Sequence, residues 1–186
     1  MEQLSGNIRL IVGLGNPGAA YKNTYHNVGL LAIDALLKSA EREKNALRPV
    51  RKGRFAYAKR GKYIFIQLSA FMNESGVPVK AALHWFKAKP GELLVIHDDS
   101  DIPAGEFKIS FGRGSAGHRG VLSIIEVLGT KNFWRLRIGV RGFSSSARTK
   151  IKAREFILRT MRPADRKRIY SVLAEITENL TVKENP

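Results

Sequence analysis

Short apolar runs alternate with amphipathic stretches along the whole chain. The apolar or alternating runs predict strands at residues 9–12, 54–60, 63–68, 92–96, 107–111 and 135–140. The run at residues 135–140 alternates charged and apolar side chains and is expected to form a half-buried strand. Apolar residues at helical spacing predict helices at residues 28–40, 73–87 and 120–128 and a last helix from residue 163. Gly61 and Lys62 separate two of the strands and predict a hairpin.

The helix ends carry recognisable signals. We expect Asn73 or Ser75 to cap the second helix, Gly129 to end the third and Pro163 to begin the last. One face of that last helix is expected to carry Ile169, Val172, Leu173, Ile176 and Leu180. Alternating strands and helices predict a single α/β domain over residues 1–186. This domain is expected to be a sandwich with a central mixed, mostly parallel β-sheet flanked by helices, and with functional loops at the carboxyl ends of the strands.

Length and composition narrow the classes of protein that fit. A chain of 186 residues suits one sizeable core. There is no run of about 18 apolar residues and no signal-peptide pattern at the start, so we expect no membrane association and a cytoplasmic location. The absence of cysteine excludes disulfides, thiolate catalysis and cysteine zinc sites.

The chain is strongly basic, with a formal net charge of +16. Between residues 103 and 160 there are twelve Lys and Arg residues but only three acidic residues. Because this excess lies within one folded segment, it favours a polyanionic partner such as nucleic acid, although a basic surface can also serve solubility alone.

Gly13, Gly15 and Gly18 follow the first predicted strand at the G-x-G-x-x-G spacing of dinucleotide sites. Such a site also needs a helix that opens at its third glycine, whereas the helical pattern here begins only at Val28. The motif therefore predicts a tight turn before a polar loop, and not a nicotinamide or flavin site.

The segment HDDSD, residues 97–101, follows a predicted buried strand and allows three interpretations. It could hold a divalent metal, form a solvated polar turn, or supply an aspartate that orients a histidine from another loop. His26, in a polar loop at the carboxyl end of a strand, is a candidate for that histidine and for a general base.

The glycine-rich segment GRGSAGHRG, residues 112–120, opens onto a predicted helix and contains Arg113, His118 and Arg119. Its backbone N–H groups and the helix dipole could bind an anion, and the surrounding basic excess favours phosphate over the alternative of a mobile surface loop. No Walker A motif and no G-x-S-x-G elbow are present.

Five blocks in order resemble bacterial peptidyl-tRNA hydrolase: GLGNPGAAYKNTYHNVG, FMNESG, HDDSDIPAG, GSAGHRG and NFWRLRIGVRG. They run from residue 13 to residue 142, and the resemblance covers nearly the whole chain. It implies cleavage of the ester between a peptide and the terminal ribose of tRNA by a monomer that needs no metal or cofactor, with peptidyl-tRNA as the partner.

The resemblance also implies roles for single residues. His26 would be the base that deprotonates the attacking water, and Asp98 would orient its ring. Asn16 and Asn73 would position the peptide carbonyl and stabilise charge developing on it, and Tyr21 would pack beneath the substrate.

The basic residues Lys108 and Arg137 match positions implicated in binding tRNA phosphate, and Arg113 lies in the neighbouring loop. Two positions depart from the family pattern. Arg119 replaces an asparagine that helps hold the substrate, and Ser110 replaces a second lysine after Lys108. Arginine cannot accept a hydrogen bond, so Arg119 would contact a phosphate or ribose, or would repel protonated His26.

The alternative to a hydrolase is a non-catalytic RNA-binding protein on the same fold.

Overall fold

The structure, a computed structural model, describes residues 7–38, 46–142 and 153–182. Within them, seven strands form one sheet in the order β2-β3-β4-β1-β5-β7-β6. In chain order the strands are β1 (Leu10–Gly13), β2 (Arg48–Val50), β3 (Phe55–Arg60), β4 (Tyr63–Leu68), β5 (Leu93–Pro103), β6 (Phe107–Phe111) and β7 (Trp134–Arg141).

The central strands β4, β1, β5 and β7 pair in parallel, while β2–β3, β3–β4 and β6–β7 pair antiparallel. Strand β2 consequently runs in the same direction as the central four, and only β3 and β6 run the opposite way. The prediction of a mixed, mostly parallel sheet is confirmed. Polar segments that follow β1, β4, β5 and β7 therefore meet at one edge of the sheet.

Helices cover both faces of the sheet. They are α1 (Val28–Lys38), α2 (Gly76–Trp85), α3 (Arg119–Leu128), the short α4 (Ala153–Phe156) and α5 (Pro163–Val182). Helices α1 and α5 share one apolar core with alternate strand residues such as Ile96, whereas α2 and α3 share the other with residues such as Val95. The central strands are mostly apolar because they are buried on both faces. Among the described residues, no helix is long and apolar enough to cross a membrane.

Most of the predicted elements are present. The hairpin of β3 and β4 and strand β6 are confirmed, as are Pro163 at the start of α5 and Gly129 after α3. Gly129 has φ 67°, the left-handed conformation that ends many helices. Four of the five predicted apolar positions of α5 are buried; the side chain of Leu180 and residues 39–40, the predicted end of α1, lie outside the described residues.

Two strand predictions were wrong in extent or exposure. The fifth strand does not end at Ile96 but continues through HDDSD to Pro103, because its backbone pairs with β7 as far as Asp99 and again at Pro103. Strand β7 was expected to be half-buried, yet Arg135 is only 1% exposed, since the loop after β6 covers that face.

The predicted side-chain caps of α2 do not form. Asn73 lies in a 3₁₀ turn, Met72–Glu74, and Ser75 occupies the capping position, but its hydroxyl donates to the Met72 carbonyl instead of accepting from α2. The preceding turn thus leads into the helix without a side-chain cap.

Gly13, the last residue of β1, and Gly29, in α1, allow the two elements to pack closely. A Cβ atom on Gly13 would lie 2.2 Å from the Gly29 carbonyl oxygen, and one on Gly29 would lie 2.3 Å from the Ile96 carbonyl oxygen. Helix α1 can therefore cross β1 and β5 at backbone contact distance. It begins at Val28, as predicted, and only a three-residue 3₁₀ turn, Ala19–Tyr21, follows Gly18.

Candidate active site

One cleft of about 1210 Å³ opens at the carboxyl edge of the sheet. Its walls come from the loop after β1, the turn before α2, the second half of β5, strands β6 and β7, and the glycine-rich loop before α3. All nine residues that the sequence suggested for a site line it: Asn16, Tyr21, His26, Asn73, Asp98, Lys108, Arg113, Arg119 and Arg137.

His26 and Asp98 form a buried pair in this cleft. The His26 Nδ1 atom lies 2.8 Å from Asp98 Oδ1, and both side chains are less than 10% exposed. An ionised carboxylate can only accept hydrogen bonds, so Nδ1 carries the proton. The Nε2 atom of His26 then holds a free lone pair and has no hydrogen-bond partner among the described residues. Of the three interpretations of HDDSD, the geometry matches the aspartate that orients a histidine from another loop.

His118 binds the same carboxylate oxygen, with its Nε2 atom 3.0 Å from Asp98 Oδ1. Its other ring nitrogen, Nδ1, accepts a hydrogen bond from the Val121 N–H at the start of α3. Because Nδ1 accepts, Nε2 must be the protonated nitrogen and donates to Asp98. His118 therefore caps α3 and holds Asp98, a role that the sequence did not predict for it.

The two imidazoles keep Asp98 ionised. Burial by itself would raise the pKa of Asp98, but the ring N–H groups of His118 and His26 that donate to its carboxylate hold that pKa well below its usual value. His97 binds the backbone of Asp98 and not its carboxylate. Its Nδ1 atom donates to the Asp98 carbonyl oxygen. Burial, together with the nearby His118, lowers the pKa of His97 to about 3, so this ring stays neutral.

The ligand atoms of His26, Asp98 and His118 lie within 4.8 Å of one another, the spacing of a metal site. Both histidine atoms concerned, however, carry the protons that they donate to Asp98. In addition, the Val121 bond fixes the tautomer of His118 that leaves no lone pair on Nε2. The carboxylates of HDDSD also diverge, since Asp99 pairs with Arg137 and Asp101 is exposed. The donor set does not favour a metal.

Asn16 is held so that its amide can donate into the cleft. Its side-chain Oδ1 accepts from the Met72 N–H at 2.8 Å, which assigns the other end of the amide as the Nδ2 donor. Asn27 fixes the backbone of Asn16 by two hydrogen bonds, one to its N–H and one from Asn27 Nδ2 to its carbonyl oxygen. Asn73 is exposed in the same cleft.

A basic wall faces the His26–Asp98 pair, on the sheet face that also carries Asp99. Register places Lys108 opposite Arg137, and Arg137 Nε binds Asp99 Oδ2 at 2.8 Å. Beside them, Arg135 donates through Nη1 to the Gly114 carbonyl and lies 4.5 Å from the Phe133 ring centroid. The burial of Arg135 and the charge of Arg137 lower its pKa to about 10. Its charge has no carboxylate partner among the described residues, so the wall is strongly positive.

The glycine-rich loop closes over this wall. Ala116 and Gly117 have φ values of 47° and 80° in a turn closed by the bond from His118 N–H to the Ser115 carbonyl. The exposed Arg119 is the first residue of α3 and lines the cleft, whereas Tyr21 is half-buried at its other side. The loop thus brings Arg113 and Arg119 to the cleft. Arg135 fixes part of its backbone by donating to the Gly114 carbonyl.

The sequence did not identify the two residues that fix the site. These are His118, which binds Asp98, and Asn27, which binds Asn16. His118 was placed in an anion-binding loop because glycines surround it. A histidine at the residue before a helix, beside a sheet edge that ends in aspartates, was the available signal. Asn27 follows His26 directly and had no distinguishing signal of its own, because its two bonds join residues eleven positions apart.

Comparison with known proteins finds one matching family and similar folds. A family model described as peptidyl-tRNA hydrolase matches residues 10–184. A peptidyl-tRNA hydrolase of Coxiella burnetii is 42% identical over 137 residues, covering 74% of this chain and 72% of its own. One from Prochlorococcus marinus is 37% identical over 183 residues, covering 97% and 89%. A crystal structure of peptidyl-tRNA hydrolase from Acinetobacter baumannii is similar in fold, with a TM-score of 0.83 at 25% identity, covering 95% of this chain and 88% of that one.

Proposed function

This chain belongs to the peptidyl-tRNA hydrolase family, and we propose that it hydrolyses the ester bond between a peptide and the terminal ribose of tRNA. The observation that carries the proposal is the His26–Asp98 pair, buried in a cleft whose opposite wall is basic. A base beside a cationic surface suits a substrate that joins a reactive ester to a polyanion.

In the proposed reaction, ionised Asp98 holds the Nδ1 proton of His26 and leaves Nε2 as the base. The Nε2 atom takes a proton from a water molecule, whose oxygen attacks the carbonyl carbon of the ester. The imidazolium formed is stabilised by Asp98. When the tetrahedral intermediate collapses, the imidazolium returns the proton to the ribose oxygen that leaves, and the peptide is released with a free carboxyl group.

Two amides are proposed to bind the reacting carbonyl. Asn16 lines the cleft and offers its Nδ2 donor, because its oxygen already accepts from Met72, and Asn73 lies on the adjacent turn. A fixed donor that stabilises the developing oxyanion contributes about 3 kcal/mol to the transition state, since it needs no reorganisation during the reaction. Tyr21, half-buried at the cleft wall, would pack against the substrate.

Phosphate contacts are proposed for Lys108, Arg113 and Arg137. All three line the cleft, and Arg137 is aligned by Asp99 through Nε, which leaves the two terminal nitrogens of its guanidinium for phosphate. Arg119, exposed at the first residue of α3, would donate to a phosphate or ribose oxygen near the ester. These contacts would hold the acceptor end of the tRNA beside His26.

The alternative, a binding protein without activity, rests on Arg119 alone. A pure binder has no need of a buried base whose tautomer is set by Asp98 and whose partner carboxylate is fixed by His118. The bonds that order these residues therefore weigh toward hydrolysis.

Further expectations accompany the proposal. One sheet carries both apolar cores, which supports a single domain over residues 1–186. A net charge of +16 opposes self-association and supports a monomer. The proposed substrate supports a location in the compartment of translation, the cytoplasm, and we expect no membrane partner. Since His26 can activate water by itself, the proposed reaction uses no metal or cofactor.

The test is hydrolysis of N-acetylaminoacyl-tRNA by the purified protein in the presence of a chelator. We expect cleavage by the wild type, loss of cleavage with retained tRNA binding in His26→Ala, and normal cleavage in His84→Ala, which removes an exposed histidine of α2. The Arg119→Asn variant then shows whether arginine replaces or weakens the family's asparagine. Absence of cleavage by the wild type, with tRNA still bound, would contradict the proposal.

A further inference from the structure

Tyr25, the residue before His26, forms a buried contact with the last helix. Its hydroxyl donates to Asp165 Oδ2 at 2.6 Å and accepts from the Arg162 N–H at 3.2 Å. Tyr25 is 1% exposed and Asp165 4% exposed. Among the described residues that line the cleft, neither appears, so neither can touch substrate directly.

The backbone around His26 is bonded to the same part of the chain. We call residues 157–161, which connect α4 to α5, the clasp segment. His26 N–H donates to the Ile157 carbonyl at 2.8 Å, and Tyr25 N–H donates to the Arg159 carbonyl at 3.3 Å. In return, Met161 N–H donates to the Asn23 carbonyl at 2.9 Å. Residues 23–26, which include the first two residues of the 3₁₀ turn Tyr25–Asn27, are thereby paired with the clasp segment.

Tyr25 and Asp165 join the two ends of this pairing. The Tyr25 ring stacks on Phe156 just before the clasp segment, with centroids 4.4 Å apart, while its hydroxyl binds Asp165 just after it. Burial raises the pKa of Tyr25 to about 12, so the hydroxyl remains a donor throughout the pH range in which an enzyme works. One side chain therefore fixes both ends of the clasp segment against the turn.

We propose that Tyr25 and Asp165 are positioning residues for His26. Their hydrogen bond holds the clasp segment on the 3₁₀ turn Tyr25–Asn27 and keeps the His26 ring aligned with Asp98. The inference rests on the proposed function, in which His26 is the base. A displacement of about 1 Å in a catalytic group can cost about a hundredfold in rate, so loosening this contact affects turnover more than binding.

The first test compares steady-state kinetics of Tyr25→Phe with the wild type. Phenylalanine keeps the stacked ring and loses the hydroxyl, and we expect kcat to fall about tenfold while KM changes less than twofold. The matched control is Tyr63→Phe, which alters a buried tyrosine at the amino end of β4, opposite the strand ends that form the cleft, and should leave kcat unchanged. Unchanged kcat in Tyr25→Phe would overturn the inference.

Changes at Asp165 separate positioning from general loss of structure. Asp165→Asn retains an oxygen that accepts from Tyr25 and should keep most of kcat, whereas Asp165→Leu should match Tyr25→Phe. Because both act through one bond, the double variant Tyr25→Phe/Asp165→Leu should lose little more than either alone. All variants are assayed well below their unfolding temperatures. Additive losses, or equal losses in Asp165→Asn and Asp165→Leu, would show a structural role only and contradict the proposal.

A readout independent of activity is the imidazole Nδ1–H proton of His26 in NMR, assigned by its loss in His26→Ala. A proton hydrogen-bonded to a buried carboxylate should give a resolved signal in the wild type and in Tyr63→Phe, and a broadened or absent one in Tyr25→Phe. A sharp, unshifted signal in Tyr25→Phe would overturn the inference. Failure of the wild type to cleave peptidyl-tRNA would sink the proposed function, while this signal would still decide whether Tyr25 positions His26.

Discussion

His118 donates from Nε2 to Asp98 Oδ1 at 3.0 Å, and the same oxygen accepts from His26 Nδ1. Asp98 is therefore fixed by two imidazoles that come from different loops. His118 is itself fixed, because its Nδ1 accepts from the first turn of α3. The start of α3 and the turn that carries His26 are linked through one carboxylate.

Replacing His118 should weaken both the helix cap and the catalytic pair. For His118→Ala we expect a loss of about 1 kcal/mol in the free energy of unfolding from the cap. We also expect a fall of about tenfold in kcat, because Asp98 loses a charge-assisted bond worth about 1.5 kcal/mol or more. Urea unfolding and steady-state hydrolysis measure the two effects. His84→Ala is the control, and normal turnover in His118→Ala would show that His26 alone is enough to orient Asp98.

Asp98→Asn should leave the fold intact and nearly abolish turnover. An amide can donate to His26 Nδ1 and so favour the tautomer whose proton is on Nε2, which removes the base. We expect kcat to fall by about 10³ to 10⁴ with tRNA affinity unchanged, measured by single-turnover hydrolysis and by filter binding. Substantial turnover in this variant would rule out His26 as the base.

The low pKa of Asp98 also predicts a pH dependence of stability. A carboxyl whose pKa is lower in the folded than in the unfolded chain stabilises the fold above its unfolded value, near pH 4. That contribution is lost as the pH falls through the folded value. The free energy of unfolding of the wild type relative to Asp98→Asn should therefore decrease as the pH is lowered from about 5 to about 2. A constant difference would mean that Asp98 is not stabilised as a carboxylate.

The basic wall predicts how salt affects tRNA binding. Each phosphate contact should contribute about 0.7 to 0.9 to the log–log slope of affinity against salt. Lys108→Ala should reduce the slope by about that amount and leave kcat at saturation nearly unchanged. Lys62→Ala, on the hairpin turn at the amino end of β4, should leave the slope as it is. An equal slope in Lys108→Ala would place the tRNA elsewhere on the protein.

Ala116 has φ 47°, a left-handed conformation that costs an L-residue about 1 kcal/mol or more. Ala116→Gly should relieve this strain, partly offset by the larger entropy of the unfolded glycine, for a net stabilisation of about 0.5 kcal/mol. Ala81→Gly, within α2, is the control and should destabilise by about 1 kcal/mol. Chemical denaturation of both variants measures the difference in sign. Destabilisation by Ala116→Gly would mean that the Ala116 methyl group contributes packing to the loop.

The order of strands and helices could be predicted from the sequence because hydrophobic period, hairpin glycines and helix-end residues are local signals. Strand β6 and the start of α5 agree residue for residue with their predicted positions. The run HDDSD had no such signal, since its polar side chains gave no sign that its backbone continues β5. Pairing with β7, a strand about forty residues later in the chain, decides that extension.

The alternation of α and β elements, the basic excess and the polar residues at strand ends could all be read from the sequence, because each depends on neighbours in the chain. Which of these residues meet depends on the folded arrangement of the strands. His26 and Asp98 are 72 positions apart, and His118 approaches from a third loop. Parallel pairing of β1 with β5 brings their carboxyl ends to one edge, and backbone contact at Gly13 and Gly29 lets α1 follow closely. Hydrogen-bond partners and tautomers depend on distances of a few tenths of an ångström, which arise from packing and not from sequence pattern.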